Sequence, residues 1–156
     1  MLTAIIGKNF ENTGFAQLKY DNIITQSNNN GHIYIKNNKI TIWVDTNKTI
    51  EQIYTDTNEY KISEVDDVPQ IGETLKKWHD KCGDLYEDED DTLIFKEPIR
   101  DYDLMVEIER TQTTLWDKIF PMNFYKTKYT DWKVKRIGIC KHDEMTFNNA
   151  SKINLK

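Results

Sequence analysis

Cysteine, glycine, serine and long apolar runs are all scarce in this sequence, and each shortage excludes a class of protein. Two cysteines among 156 residues are too few for the disulfide framework of a small secreted domain, so they favour a reducing compartment. No apolar run approaches the roughly 20 residues that a membrane-spanning helix needs. The N-terminal residues have no basic leader typical of a signal peptide. We therefore expect a soluble cytoplasmic protein that does not bind membranes.

The motifs of common enzyme classes are missing as well. The six glycines are scattered, so they form neither a phosphate-binding loop nor a dinucleotide fingerprint. None of the three serines lies in the Gly-x-Ser-x-Gly pattern of hydrolases, and no His-Glu-x-x-His motif occurs. These absences favour a non-enzymatic protein that carries no cofactor.

The residues that are present indicate one folded domain spanning residues 1–156. Hydrophobic residues make up 38% of the chain and aromatic residues 12%, which is too apolar for a disordered chain. The length suits one domain, because domains commonly have about 100–200 residues. The chain also contains 19 Ile, 18 Lys and 14 Asn but only 3 Arg. This bias toward A/T-rich codons indicates a low-GC genome, a setting in which small acidic proteins of phages and mobile elements are common.

Residues 1–68 have the patterns of β-strands. Alternation of polar and apolar residues in 31–44 predicts a hairpin that turns at Asn37-Asn38, since asparagine tolerates the positive φ of a two-residue turn. This turn pairs Ile35 with Ile40 on an aliphatic face, which we expect to be the core face. A second hairpin is predicted between 50–55 and 60–65, and segments 2–6 and 15–20 are candidate edge strands.

Residues 69–121 have helical periodicity instead and are strongly acidic. Apolar residues from Ile71 to Cys82 recur at helical spacing and predict a helix over 72–82. A second apolar stripe, from an N-cap at Asp101 to Pro121, predicts a helix over 101–120. A short strand is predicted between them over 92–95, ending before Pro98.

The C-terminal part returns to strand patterns. Residues 122–147 form a basic and aromatic region in which 132–140 alternates as a strand, and the polar tail 148–156 is expected to fray. Strands first and helices later predict the α+β class. The expected fold is an N-terminal antiparallel meander covered by two central helices and completed by a C-terminal strand.

Charge is distributed unevenly along the chain. Residues 1–50 carry a net charge of +2, residues 51–110 a net charge of −12, and residues 111–156 a net charge of +5. The ordinary interpretation of an acidic segment is a solvated surface. The functional interpretation is a negative field that attracts a Lys/Arg-rich groove in place of nucleic acid.

The leading hypothesis follows the functional interpretation. The chain is then a protein–protein interaction module, an inhibitor from a phage or mobile element that blocks the basic groove of a host nucleic-acid-binding defence protein. A homodimer through Tyr34 and Trp43, on the non-core face of the hairpin, is a further expectation. The hypothesis assigns partner binding to Glu87, Asp88, Glu89, Asp90, Asp91, Asp101 and Asp103, with Tyr86 and Tyr102 as aromatic anchors.

The alternative hypothesis is a nucleic-acid-binding protein or a metal-dependent nuclease. Aromatic residues are interleaved with cations in the C-terminal third, a composition used to bind single strands. A Mg²⁺ site could draw on Asp101, Asp103 and Asp131. The nucleic-acid contacts in this hypothesis are Lys126, Lys128, Lys133, Lys135 and Arg136.

A zinc site is the weakest of the alternatives. His79 and Cys82 share one face of the first predicted helix, and Cys140 and His142 would complete a tetrahedral set of ligands. The spacing of the two pairs matches no standard zinc finger. We therefore expect no bound metal.

Overall fold

The computed structural model describes residues 1–18, 22–24, 33–64, 68–87, 92–109 and 132–153, and its main element is an antiparallel β-sheet. Within these ranges there are nine strands: β1 (Asn22–Ile24), β2 (Ile33–Lys36), β3 (Ile40–Val44), β4 (Ile50–Thr55), β5 (Leu85–Glu87), β6 (Leu93–Ile99), β7 (Tyr102–Glu109), β8 (Lys133–Lys141) and β9 (Ser151–Ile153). They form one sheet in the order β1-β2-β3-β4-β8-β7-β6-β5-β9, and each neighbouring pair is antiparallel.

The expected α+β fold with two covering helices is wrong. Among the described residues the only α-helix is α1 (Leu75–Cys82), which confirms the first predicted helix with a later start. The second predicted helix, over 101–120, coincides with β7 as far as Glu109, and its remaining residues lie outside the described ranges. Its apolar stripe was misleading because a spacing of four, as between Leu104 and Ile108, is also even and fits one face of a strand.

The hairpin of β2 and β3 is confirmed, but its register differs from the expected one. Ile35 pairs with Ile42 instead of Ile40, so each partner moves by two residues. A shift of two residues leaves Ile35, Ile40 and Ile42 on the predicted core face. Asn37 precedes the turn, where its side-chain oxygen accepts hydrogen bonds from the N–H groups of Lys39 and Ile40, both at 2.9 Å. This side-chain bonding fixes the turn one residue later than the Asn-Asn pair suggested.

The partners of the other strands were not anticipated. The strand over 50–55 is confirmed as β4, but it pairs with β8 and not with residues 60–64, which form no strand. Residues 3–7 form turns and Gly14–Gln17 a 3-10 helix, so neither 2–6 nor the described part of 15–20 is an edge strand, and 19–20 lie outside the described residues. The tail is not frayed at 151–153, because β9 pairs with β5. No described helix has the length and apolarity needed to cross a membrane.

The core lies on one face of this sheet, which we call the core face. Its strand residues include Ile42, Ile53 and Ile139, each at most 1% exposed. They are covered by the apolar side of α1 and by the N-terminal segment, which belong to the same buried cluster. The residues that cover them include Leu2, Ile6, Leu75 and Trp78. Residues that alternate with the core residues along each strand therefore lie on the opposite face.

Candidate functional site

The face of the sheet opposite the core carries a row of four side chains that runs across four strands. Trp43 on β3 pairs with Gln52 on β4, Gln52 pairs with Cys140 on β8, and Cys140 pairs with Asp103 on β7. Side chains directly opposite each other on one face lie about 4.5–5.5 Å apart at Cβ. The row therefore places an indole, an amide, a thiol and a carboxylate side by side.

Two adjacent cavities open along this row. The first has a volume of about 300 Å³. The second has a volume of about 400 Å³ and lies toward the end of the strands where β4 begins at Ile50 and β8 ends at Lys141. Both are lined by Gln52, Cys140 and Thr146, so we treat them as one groove. The other residues that line the first cavity are Trp43, Tyr54, Thr92, Ile94, Asp103 and Met105.

A glycine shapes one wall of the groove. Gly138 lies between Tyr54 and Met105 in the next row of the sheet, and a Cβ at this position would lie 2.5 Å from Cε1 of Tyr54. The missing side chain lets the tyrosine ring lie directly on the backbone of β8. The Tyr54 hydroxyl also contacts the sulfur of Met105 at 3.1 Å. Gly138 therefore allows the ring of Tyr54 to lie close to the backbone of β8.

Arg136 also contacts the ring of Tyr54. Its guanidinium carbon lies 4.9 Å from the centre of the Tyr54 ring. Its nitrogens form ion pairs with Asp56 at 3.1 Å and with Glu107 at 3.2 Å, and one of them donates to Thr41. The side chain is only 14% exposed. Arg136 is thus committed to contacts inside the protein, and it is unsuited to bind a phosphate.

A buried carboxylate–imidazole pair adjoins the groove. Asp103 is 1% exposed, and its Oδ1 accepts hydrogen bonds from the N–H of Glu97 at 2.8 Å and from Nδ1 of His142 at 2.9 Å. Nδ1 carries the proton, because a carboxylate can only accept. Glu97 lies in β6, where the pairing with β7 is irregular, and Asp101 lies in the β6–β7 turn. Their φ values of +43° and +67° fall in a region that non-glycine residues rarely adopt. The buried contacts hold this strained backbone in place.

The second nitrogen of His142 faces two more carboxylates. Nε2 lies 3.2 Å from Oε1 of Glu144 and 3.7 Å from Oε2 of Glu97, without the alignment of a hydrogen bond. Burial by itself would lower the pKa of His142, but the contacts with Asp103, Glu144 and Glu97 outweigh it and raise the pKa. The pKa of Glu144 is lowered by its contact with Lys96 and also by His142. The cluster therefore favours a positively charged imidazolium.

The thiol of Cys140 is unreactive in this setting. Burial, followed by the negative charges of Asp103 and Asp143, raises its pKa to about 12. The thiol is therefore protonated near neutral pH, whereas a nucleophilic cysteine needs the thiolate. His142 does not activate the thiol, because its free nitrogen faces Glu97 and Glu144.

The three acidic candidates that the structure describes do not lie together on one surface. Glu87 ends β5, whereas Asp101 lies in the β6–β7 turn at the other end of these strands. Asp103 is buried against His142, and 88–91 lie outside the described residues. The anchor Tyr86 packs edge-on against Phe147, and the other anchor, Tyr102, donates to the carbonyl of Thr3 at 3.2 Å.

The described basic candidates all lie on β8, whereas the zinc candidates are dispersed. Lys133 and Lys135 are exposed on β8, whereas Lys126 and Lys128, together with Asp131, lie outside the described residues. Cys82 is buried with the core on α1, the helix that also carries His79, whereas Cys140 lies on the opposite face of the sheet. Within the described ranges, no group of three or more His, Cys, Asp and Glu side chains could hold a metal ion.

Comparison of the chain with protein-family models, with curated proteins and with solved structures found no match. The geometry of the groove and of the adjoining His142 cluster therefore carries the functional inference. Sequence reasoning missed both features, although two signals pointed to them. Trp43 was expected on the non-core face, and Asp103 precedes the apolar stretch 104–106 in a strand where a carboxylate is unusual.

Proposed function

We propose that this protein is a non-enzymatic protein-binding module whose binding surface is the groove. The lining of the groove is the observation that carries the proposal. Trp43, Tyr54 and Met105 supply large apolar surfaces, and these residue types are enriched at the centres of protein–protein interfaces. Gln52 and Thr146 add polar groups that can orient a bound segment.

The charges around the groove indicate the chemistry of the partner. Glu51 and Asp143 contribute carboxylates to the lining, against the cation Lys141. The carboxylate of Asp103 is buried against His142 and does not add to this charge. A segment that combines an apolar side chain with lysine or arginine complements this surface. The partner class remains the one that the acidic sequence favoured: a basic protein that handles nucleic acid. The phage or mobile-element origin is part of the proposal and is supported by the codon bias.

Two features of the site favour binding over catalysis. The thiol in the groove is protonated near neutral pH, and the imidazole next to it directs its free nitrogen at carboxylates. Neither group is therefore arranged as a nucleophile with its base. Binding to single-stranded nucleic acid is less favoured, because Arg136 is enclosed by acidic and aromatic neighbours.

Selection from a randomised octapeptide library on the immobilised full chain tests the proposal. Gln52 lines both cavities, so Gln52→Lys and Gln52→Glu form a matched pair that differs in charge at one point. We expect enriched peptides with Lys or Arg beside an aromatic or aliphatic residue. They should bind the wild type and Gln52→Glu, but bind Gln52→Lys at least about tenfold more weakly, a difference of roughly 1.4 kcal/mol.

The site of binding is checked by the NMR signal of the Trp43 indole, which should shift on addition of a selected peptide. Enrichment no greater than on a bare surface would contradict the proposal, as would equal binding to both Gln52 variants. Oligothymidylate that shifts signals of Lys133 and Lys135 at low salt, with no peptide bound in the groove, would favour the nucleic-acid alternative. A concentration-dependent dimer that broadens the Trp43 signal would instead identify the occupant as a second copy.

A further inference from the structure

A C-terminal segment crosses the sheet on the groove side. Residues 142–150, which we call the strap, connect β8 in the middle of the sheet to β9 at its edge. They pass the positions of β7, β6 and β5, and Thr146 contributes to the groove lining. The strap therefore forms one wall of the groove.

Three contacts hold the strap against the strands. His142 bonds to the buried Asp103 on β7, and Glu144 forms an ion pair with Lys96 on β6 at 2.8 Å. The ring of Phe147 lies 5.1 Å from that of Tyr86 on β5, in an edge-to-face arrangement. Phe147 also packs against the ring of His142 at 5.8 Å and under the ammonium of Lys96 at 5.3 Å.

We propose that the strap is a proton-controlled wall of the groove, which doubly protonated His142 holds closed and which opens when Nε2 loses its proton. Charged groups face the imidazole from every element packed against it. Glu97 comes from β6, Asp103 from β7 and Glu144 from the strap itself, where Lys96 is the cation nearest to Glu144. Three carboxylates around one imidazole make the cluster depend on its positive charge.

Loss of the proton changes the contacts at one nitrogen only. The neutral ring still donates from Nδ1 to Asp103, but the lone pair of Nε2 then faces Glu144 and Glu97. Both contacts become repulsive, and Glu144 lies on the strap whereas Glu97 lies on the sheet. The repulsion between His142 and Glu97 therefore acts between the strap and the sheet, whereas that between His142 and Glu144 acts within the strap. Without the positive charge between them, Glu97 on the sheet and Glu144 on the strap also repel each other.

The direction of the pH dependence follows from the raised pKa of His142. A group whose pKa is higher in the closed state contributes stability that is fully present below its ordinary pKa and is lost as the pH rises through the raised value. Because the pKa of Glu144 is lowered, its charge persists to more acidic pH. The strap is thus closed below the titration of His142 and opens above it.

Hydrogen exchange and NMR on the full chain test this inference from pH 5.5 to 9. The readouts are the ¹⁵N signals of the His142 ring and the protection factors of amides in 143–153, corrected for the intrinsic pH dependence of exchange. We expect the protection factors to fall as His142 loses its proton. The fall should be about tenfold for each pH unit by which the pKa of His142 in the closed strap exceeds its pKa in the open strap.

Two carboxylate variants provide a matched comparison. Glu97→Gln removes one charge that faces Nε2, whereas Glu107→Gln removes a similarly exposed carboxylate from the pair with Arg136. Glu97→Gln should lower both the midpoint of the His142 titration and the pH at which protection falls. Glu107→Gln should leave both unchanged. Protection that stays constant through the His142 titration would overturn the inference, as would a Glu97→Gln variant that moves the titration without moving protection.

The effect on binding rests on the proposed function, whereas the opening of the strap does not. If the affinity of selected peptides for the groove does not change at the pH at which the strap opens, control of binding by the strap is refuted and the proposed function stands. If the strap opens as expected and no peptide is enriched, the proposed function fails and the proton-controlled strap stands.

Discussion

The close contact between Gly138 and Tyr54 makes Gly138→Ala the sharpest test of the groove geometry. The added methyl carbon would lie 2.5 Å and 2.7 Å from two ring carbons of Tyr54, and 3.0 Å from the terminal methyl of Met105. Ordinary carbon contacts are about 3.5–4.0 Å, so the ring must move outward by roughly 1 Å. The movement also loosens the ring from Arg136.

The expected cost is that of an overpacked site. Extra methylene groups in well-packed regions destabilise by about 1–3 kcal/mol, which we expect to exceed the stabilisation of about 0.4–1 kcal/mol from the lower entropy of the unfolded chain. In a Tyr54→Ala background the ring is absent, so Gly138→Ala should become neutral or slightly stabilising. The coupling energy between the two substitutions is therefore expected at about 1–3 kcal/mol.

Urea titrations of the four proteins in this cycle supply the measurement. Gly14→Ala is the control, because nothing lies within 4 Å of a Cβ at that position, and it should stabilise the protein by about 0.4–1 kcal/mol. If Gly138→Ala costs the same with and without the tyrosine ring, the contact between ring and backbone does not exist as described.

Three further predictions follow from contacts elsewhere in the sheet. Ile42→Ala should lower the free energy of unfolding by about 2–5 kcal/mol, because Ile42 is fully buried on the core face. Denaturant titrations measure the loss, and a loss below about 1 kcal/mol would contradict that assignment. Arg136→Lys should lower the free energy of unfolding by about 1–3 kcal/mol, because one ammonium cannot contact both carboxylates and the tyrosine ring. Thermal melting measures the loss, and an unchanged melting temperature would argue against these contacts. Cys140 should react with iodoacetamide at pH 8 far more slowly in the native protein than in urea, because its pKa is raised to about 12. Mass spectrometry of the labelled peptide measures the two rates, and equal rates would refute the raised pKa of the thiol.

Local sequence patterns were sufficient where apolar residues recur between polar ones at the spacing of a strand or a helix. The hairpin, the strand over 133–141 and the helix α1 have such patterns, and the predicted core face of the hairpin is confirmed by the burial of Ile35, Ile40 and Ile42. The register error came from the side chain of Asn37, whose hydrogen bonds depend on geometry and not on residue type alone.

The patterns failed where both faces of a strand are covered. Leu104, Met105 and Val106 are all buried, so β7 has no polar alternation by which it could be recognised as a strand. Strand order was also out of reach, because Gln52 and Cys140 pair across most of the chain. The groove depends on this pairing, and the contact between Asp103 and His142 joins two distant segments in the same way. A single sequence contains no direct signal for either.

The position of β8 between β4 and β7 also has a consequence for how the protein is made. As the chain leaves the ribosome, β4 is complete long before its neighbour β8 exists, and its open edge can pair with other chains in the meantime. At a synthesis rate of roughly 5–20 residues per second, this interval lasts roughly 4–18 s. The N-terminal strands therefore cannot complete the sheet until β8 has emerged, and the edge of β4 is open to pairing with other chains throughout this interval.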